Sequence, residues 1–452
     1  MTQKRALELM RSGANIFLCG PPGSGKSFVL EQFMKLAVLD KRKVALTATT
    51  GIAASLIGGV TIHSWSGLFN SGRLSTNFDL ISPVIKDRLI SAEILIIDEV
   101  SMLDIQTLDA LNDLLKEVRS VEVPFGGLQL ILSGDFFQLP PVSKVSPAYC
   151  FLSQSWQEAD LTICYLSEQH RQSNDELTEI LVALRERRFN KYYLSLLSAR
   201  QGVSHRPVTH LLTHNREVDE LNDYRLNQLE GKIRNYSSRS YGNSKLATEL
   251  SRSVLAPKEL QLRVGAEVMF VVNDIYKRFV NGTQGTVIGF KFNLPVIELK
   301  TTKNQIIAEP HQWKIESELG GAELIQLPLK LAWAITIHKC QGMSLEVAEI
   351  DLRRSFAYGM GYVAISRLRS YRGLYLSSYN SRSLQLDNFI YDFDDLLKQK
   401  SRLNEAPRIL NMTEKTALAL FKSGMSPWLI KQTTGLNQER LKNITDENRL
   451  SE

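Results

Sequence analysis

GPPGSGKS, residues 20–27, decides how this chain is read. An apolar run ending in glycine, NIFLCG (15–20), precedes it and reads as a buried strand. SFVLEQFMKLAVLD (27–40) follows with helical apolar spacing. GxxxxGK(S/T) between a strand and a helix is a phosphate-binding loop. Glycines let backbone N–H groups approach phosphate oxygens, and the helix N-terminus adds its positive dipole end. On this reading Gly20, Pro21, Pro22, Gly23, Ser24 and Gly25 cradle the phosphates of ATP. Lys26 reaches the β- and γ-phosphates, and Ser27 offers its hydroxyl to Mg²⁺.

Working outward, KVALTATT (43–50), EILIID (93–98) and LQLILSGD (128–135) are further strand-like runs, the last two nearly continuous in apolar residues. Runs of that kind suit strands covered on both faces, so alternation with helical segments predicts an α/β, doubly wound parallel sheet. LIIDEVSML (95–103) sets Asp98 and Glu99 at the C-terminal edge of that sheet, where open α/β sheets bind ligands. Asp98 is expected to hold Mg²⁺ through its shell and Glu99 to orient or activate the attacking water. LILSGDFFQLPPV (130–142) brings Asp135 and Gln138 directly after a third strand, with Gln138 placed to sense the γ-phosphate.

Residues 68–90 mix Gly and Pro with apolar residues and read as an insertion. A second alternating region starts near residue 173, with strands expected at 208–215 and around 331–339. Within it, 262–290 is strand-rich and carries the turn signal Asn281-Gly282, which suggests a small inserted β-barrel. Residues 395–411 are polar, contain Pro407 and read as a linker. In 413–444, Ser426-Pro427 marks a helix start, Gly424 and Gly435 punctuate, and Leu436-Asn437 starts another helix. Three short helices at this spacing resemble a helix-turn-helix, which would dock on duplex DNA or a protein partner, or form a small packing bundle.

The 452 residues allow roughly two to four domains. A net charge of +6 permits a polyanionic partner without requiring one. Cys19, Cys150, Cys164 and Cys340 occur in no CxxC or metal-like spacing. They read as reduced packing residues, which suits a reducing, cytoplasmic compartment. The charged N-terminus lacks a signal-peptide core, and no uncharged apolar run approaches the roughly 18 residues of a membrane span.

GPPGSGKS, TATTGIAASLIGGVTIHSWSGL (47–68), LIIDEVSML, GDFFQLPPV, LSEQHRQ (166–172), LAPKELQLRVGAEVMFVVND (255–274), LPLKLAWAITIHKCQGMSL (327–345) and GYVAISRLRS (361–370) occur in this order. Together they resemble superfamily-one DNA helicases, most closely the Pif-one type related to RecD and Dda. The resemblance covers about residues 1–380. It implies two RecA-like domains (1–67 with 91–172, and 173–256 with 328–394), a wedge insertion (68–90) and an SH3-like insertion (257–327). The linker (395–411) and the helical C-terminal segment (412–452) lie outside the shared core. It further implies an ATPase that moves 5′→3′ on single-stranded DNA, unwinds forked DNA and acts as a monomer in replication, recombination or repair.

By motif match Gln3 reads adenine, and a Gln amide suits the adenine edge. Arg171 and Arg367 reach the γ-phosphate from the facing domain, a role that planar guanidinium groups fit. Gln341 and Gly342 sit at the cleft and couple closure to hydrolysis. Thr49, Thr50 and Gly51 on one domain, and Thr336 and His338 on the other, hold the DNA backbone through neutral donors. Such donors keep the salt dependence small. His63 is a further neutral donor. Trp65 either stacks on a base or packs in the core. Phe69 and Phe78 are the apolar candidates for a strand-splitting pin. Cys340 stands where the family often has Ser. Two rival readings stay open: an RNA helicase of the same superfamily, and an ATP-switched DNA-binding regulator without unwinding.

Overall fold

The computed structural model describes residues 1–70, 73–74, 82–141, 148–167, 175–204, 208–274, 276, 278–315, 321–405 and 412–436. Six parallel strands form the first sheet, in the order Val60–Thr61, Val44–Ala48, Ile94–Asp98, Gln129–Gly134, Ile16–Cys19, Thr162–Tyr165. Alternation along each strand divides its side chains between two cores. Phe17, Leu95, Ile97, Leu130 and Leu132 enter one; Ile16, Leu18, Ile94, Ile96 and Ile131 enter the other. The helices Gln3–Arg11 and Lys26–Leu39 cover the second face through Ala6, Met10, Val29, Leu30 and Phe33. Ile105–Arg119 covers the first through Leu108, Leu111, Leu114 and Leu115. Burial on both faces is why these strands read as nearly unbroken apolar runs.

The second sheet is also parallel, in the order Ala334–Thr336, Thr209–Leu212, Ala348–Leu352, Leu374–Tyr379. Between its first two strands in the chain lies a β-rich region with a core of its own, including Leu260, Val268, Phe270, Val287 and Ile297. Its main sheet is antiparallel and five-stranded: Gln305–Ile307, Leu294–Leu299, Gln284–Lys291, Glu267–Phe270, Leu329–Leu331. Pairing reaches beyond 257–327: Arg234–Ser237 joins Glu259–Leu262, and Arg239–Gly242 joins Ala322–Gln326.

In the 68–90 stretch, Phe69–Asn70 pairs antiparallel with Arg73–Leu74, and Ser82 caps the helix Pro83–Ser91. Phe78 lies outside the described residues. The polar composition of 395–411 misled. Residues 395–405 are the second half of a helix, Asn388–Glu405, that packs along Thr162–Tyr165. Asp394, Leu397 and Ser401 recur at helical spacing and are buried, and composition averaged over both faces hides that stripe. Beyond it, Met412–Lys422 and Pro427–Thr434 pack Ala417 on Ile430. Ser426 occupies the N-cap position with proline in the first turn, yet its hydroxyl makes no capping hydrogen bond. Asn437 and the third expected helix lie outside the described residues. All four cysteines are buried free thiols. No helix among the described residues is long and apolar enough to cross a membrane.

Candidate active site

The phosphate loop leaves the strand Ile16–Cys19 and enters the helix Lys26–Leu39 at its first residue. Gly20 has φ 142°, and a Cβ there would lie 2.6 Å from the Leu166 carbonyl oxygen, so glycine is required. Gly25, at φ 89°, turns the backbone into the helix. Lys26 Nζ donates to the carbonyls of Gly20 at 2.7 Å and Pro21 at 3.1 Å. Burial lowers the Lys26 pKa, while the charges of Asp135, Glu99 and Asp98 oppose that shift, so the lysine and these carboxylates share one cleft. Gln3 Nε2 donates to the Ser24 carbonyl at 3.1 Å, which sets its amide against the loop. Pro21, Pro22 and Gly23 line a small hollow with Arg185 and Tyr362.

Asp98 ends its strand in the buried interior, and burial raises its carboxyl pKa against the Glu99 backbone amide and the charge of Lys26. Glu99 follows in a left-handed conformation, φ 55°. Burial raises its pKa most, the Asp98 charge adds to this, and Arg367 and Gln341 counteract it. A carboxylate raised in this way is a better proton acceptor. Gln341 Nε2 donates to Glu99 Oε2 at 3.0 Å, and Gly342 follows at φ 79° with Leu56 close by. Buried Gln138 faces Arg367, whose Nη2 lies 3.5 Å from Gln138 Oε1. Arg367 is anchored by Ser366 Oγ at 2.8 Å and the Val363 carbonyl at 3.2 Å. Glu99, Gln138, Gln341 and Arg367 are thus brought together from two sheets. Arg171 lies outside the described residues.

This donor set fits a nucleoside triphosphate with Mg²⁺. Gly20, Gly23 and Gly25 all take positive φ, a backbone that glycine adopts readily, and the fully buried Ser24 Oγ has no hydrogen-bond partner among the described residues. Ser27, exposed in the first helical turn, and Asp98 would hold the ion. Among the described residues no group of three or more His, Cys, Asp or Glu forms a metal cage. Mg²⁺ held by one or two protein oxygens plus phosphates needs none.

The residues expected on the nucleic-acid face divide. Thr49 Oγ1 donates to the Glu99 carbonyl at 2.8 Å, and Thr50 Oγ1 accepts from Ala53 N, capping the helix Gly51–Ile57. His63, partly buried, is held neutral because burial lowers its pKa. Trp65 is 4% exposed and packs in the core, so its ring has no face open for stacking, which corrects the base-stacking expectation. Thr336 is buried at a strand end, where its Oγ1 accepts from Lys339 N at 3.4 Å. His338, also held neutral by burial, stacks on Phe356 with centroids 5.8 Å apart, and His214 tilts against the same ring at 5.2 Å.

Sequence reading missed Phe356, 49% exposed at this edge, and Arg185 beside the phosphate loop. Arg185 carried a signal. It lies four residues after Leu181 on the stripe formed by Leu177, Ile180, Leu181 and Leu184, a charge on an apolar face.

Comparison with known proteins adds the following. The family model described as PIF1-like helicase matches residues 2–206, and that of the DNA helicase Pif1 2B domain matches residues 245–290. The ATP-dependent DNA helicase Pif1 of Psychrobacter sp. is 38% identical, the match covering 89% of this chain and 71% of that protein. Human ATP-dependent DNA helicase PIF1 is 35% identical over 90% of this chain and 65% of its own length. Among solved structures, Pif1 helicase from Candida albicans matches with TM-score 0.79 and 32% identity, covering 87% of this chain and 98% of that one. A Bacteroides Pif1 in complex with ADP-AlF4 matches with TM-score 0.72 and 28% identity, covering 88% and 97%. A structure of two coordinating Pif1 helicases at forked duplex DNA matches with TM-score 0.68 and 30% identity, covering 88% and 98%.

Proposed function

The chain belongs to the PIF1-like helicase family, and we propose that it is an ATP-dependent DNA helicase that moves 5′→3′ on single-stranded DNA and unwinds duplex. The observation that carries the reading is the contact of Gln341 with Glu99, which ties the carboxylate placed to activate water to the opposite sheet.

The two parallel sheets act as RecA-like lobes, residues 68–90 as the wedge, and the antiparallel β region as an SH3-like insertion. ATP lies on the phosphate loop, with Lys26 on its β- and γ-phosphates and the Gln3 amide at adenine. Ser27 and Asp98 would hold Mg²⁺, which when bound would supply charge neutralisation at the phosphates. Glu99 orients the water and takes its proton as oxygen attacks phosphorus and the bond to ADP breaks. Gln138 reports the γ-phosphate, and Arg367, with Arg171, neutralises the charge that develops there. A guanidinium in such a position is worth roughly 10³–10⁵ in rate in related phosphoryl transfers. Loss of that charge releases Arg367 and opens the cleft.

Thr49, Thr50 and Gly51 on one lobe, and Thr336 and His338 on the other, hold the DNA backbone in alternation, with His63 as a further neutral donor. Neutral histidines suit a grip that must slide. Partners are single-stranded and forked DNA, the ligands of related Pif1 complexes. The C-terminal helices add a contact to duplex DNA or a protein, and the chain steps as a monomer in a cytoplasmic compartment.

The test is unwinding of forked duplexes with a 5′ or a 3′ single-stranded tail, with and without ATP, beside ATPase stimulation by DNA and RNA oligomers. Only the 5′-tailed fork with ATP should open. Stronger stimulation by RNA would move the substrate class to RNA. Slow hydrolysis without strand separation would make the protein an ATP-switched binder.

A further inference from the structure

Arg185 closes the helix Glu176–Arg185 and is 6% exposed. Its Nη1 donates to Asp135 Oδ1 at 2.7 Å and to the Tyr362 hydroxyl at 3.1 Å. Nη2 donates to Asp394 Oδ1 at 2.7 Å and Nε to the Tyr165 hydroxyl at 3.1 Å. Each phenol passes a bond on: Tyr362 donates to Asp135 Oδ2 at 3.1 Å and Tyr165 to Asp394 Oδ2 at 3.2 Å. Lys398 Nζ, 2.8 Å from Asp394 Oδ2, balances the second carboxylate. The guanidinium also lies over the Phe137 ring, 4.5 Å from its centroid.

These groups come from separate parts of the molecule. Asp135 follows the strand Gln129–Gly134 of the first sheet, and Tyr165 ends the strand Thr162–Tyr165. Tyr362 lies on the helix Met360–Ser366, which runs directly into Arg367. Asp135 also shapes the turn that presents Gln138: its Oδ1 accepts from Phe137 N at 3.2 Å and its carbonyl from Gln138 N at 2.9 Å. A closed path results, from Gln138 through Asp135, Arg185 and Tyr362 to Arg367 and back across 3.5 Å to Gln138. Stability alone does not call for such a cluster, because well-packed apolar residues often replace buried ion pairs without loss.

Building on the ATPase reading above, we propose that Arg185 is a positioning residue that locks the turn bearing Gln138 to the helix bearing Arg367. While the cleft is closed, the γ-phosphate-sensing groups of the two lobes are then held as one unit. The half of the network that joins the turn bearing Gln138 to the helix bearing Arg367 runs through Tyr362. The half through Tyr165 and Asp394 anchors Arg185 from the other side.

Tyr362→Phe and Tyr165→Phe separate coupling from stability, since each deletes one hydroxyl and no charge. Both full-length variants should lose similar amounts of thermal stability. Tyr362→Phe should lower kcat of ATP hydrolysis with single-stranded DNA about ten-fold and leave KM for ATP within about two-fold, the pattern of a lost transition-state interaction. Tyr165→Phe should stay within about two-fold of wild type in both. Equal turnover in the two variants, or a change confined to KM, overturns the proposal. A wild-type chain that hydrolyses no ATP would instead remove the functional reading itself, and the relay with it.

Discussion

Gln341 Nε2 lies 3.0 Å from Glu99 Oε2, a contact between residues 242 apart in sequence and on different sheets. Glu99 is held for it. Its backbone sits at φ 55°, a region that non-glycine residues seldom occupy, and Thr49 Oγ1 donates to its carbonyl at 2.8 Å. A residue on strained backbone, held at its carbonyl from one sheet and at its carboxylate from the other, is a place where domain closure and water activation become one event.

Gln341→Leu should therefore change the pH dependence of hydrolysis. Burial raises the Glu99 pKa, the Asp98 charge raises it further, and the Gln341 hydrogen bond works against both. Protonated Glu99 accepts no proton from water, so the rate falls as pH drops through the raised pKa. Loss of the Gln341 donor removes an opposing influence and moves that acid limb to higher pH. The measurement is kcat against pH with saturating single-stranded DNA. An acid limb that stays in place would show that Gln341 does not act on Glu99.

Thr49, proposed to hold the DNA backbone, donates its hydroxyl to the backbone carbonyl of the water-activating residue. Thr49→Val keeps the shape of the side chain and deletes that bond. Basal ATP hydrolysis should change little, while the stimulation produced by single-stranded DNA should fall several-fold, as expected for a coupling energy of about 1–3 kcal/mol. ATPase assays across a titration of oligonucleotide decide it. Undiminished stimulation at saturating DNA would place the coupling elsewhere.

The phosphate loop and the carboxylate pair were legible because their chemistry is local: a strand, a few glycines and a charged group within one turn. The strands were legible because burial on both faces leaves nearly continuous apolar runs such as ILIID and LILSG. What sequence hid depends on distant packing. Arg185 meets Asp135 and Asp394 only after three elements converge, although its place on an apolar helix stripe hinted at a buried partner. Trp65 was open between stacking and packing because a short motif does not say which side of a helix is covered. The helix Asn388–Glu405 looked like a linker because its polar outer face outweighs the stripe that docks on Thr162–Tyr165.

Gly20→Ala should damage the loop before any chemistry is reached. The added Cβ would stand 2.6 Å from the Leu166 carbonyl oxygen, a backbone atom that cannot swing aside, and φ is 142°. Strain of this type costs about 1–3 kcal/mol. A lower melting temperature and weaker ATP binding are expected together. Gly289→Ala, where a Cβ meets nothing within 4 Å, should leave both close to wild type. Unaltered ATP affinity in Gly20→Ala would mean that the Leu166 segment yields freely.

Trp65 and His338 offer the sharpest contrast between core and nucleic-acid face. Trp65, on the helix Ile62–Ser66, packs in the core, so Trp65→Ala opens a cavity and should cost about 3–5 kcal/mol of stability. Binding of single-stranded DNA per folded molecule should then be nearly unchanged. His338 stacks on half-exposed Phe356 at the edge of the second sheet, and burial lowers its pKa, so near neutral pH it is an uncharged donor. His338→Ala should weaken DNA binding several-fold with little loss of stability, and the slope of affinity against salt should stay the same because no cation is lost. Titration of a fluorescent oligonucleotide at several salt concentrations, beside thermal melts, separates the two. A shallower salt slope in His338→Ala would show that the imidazole binds phosphate in its charged form, and with that the neutral grip would be wrong.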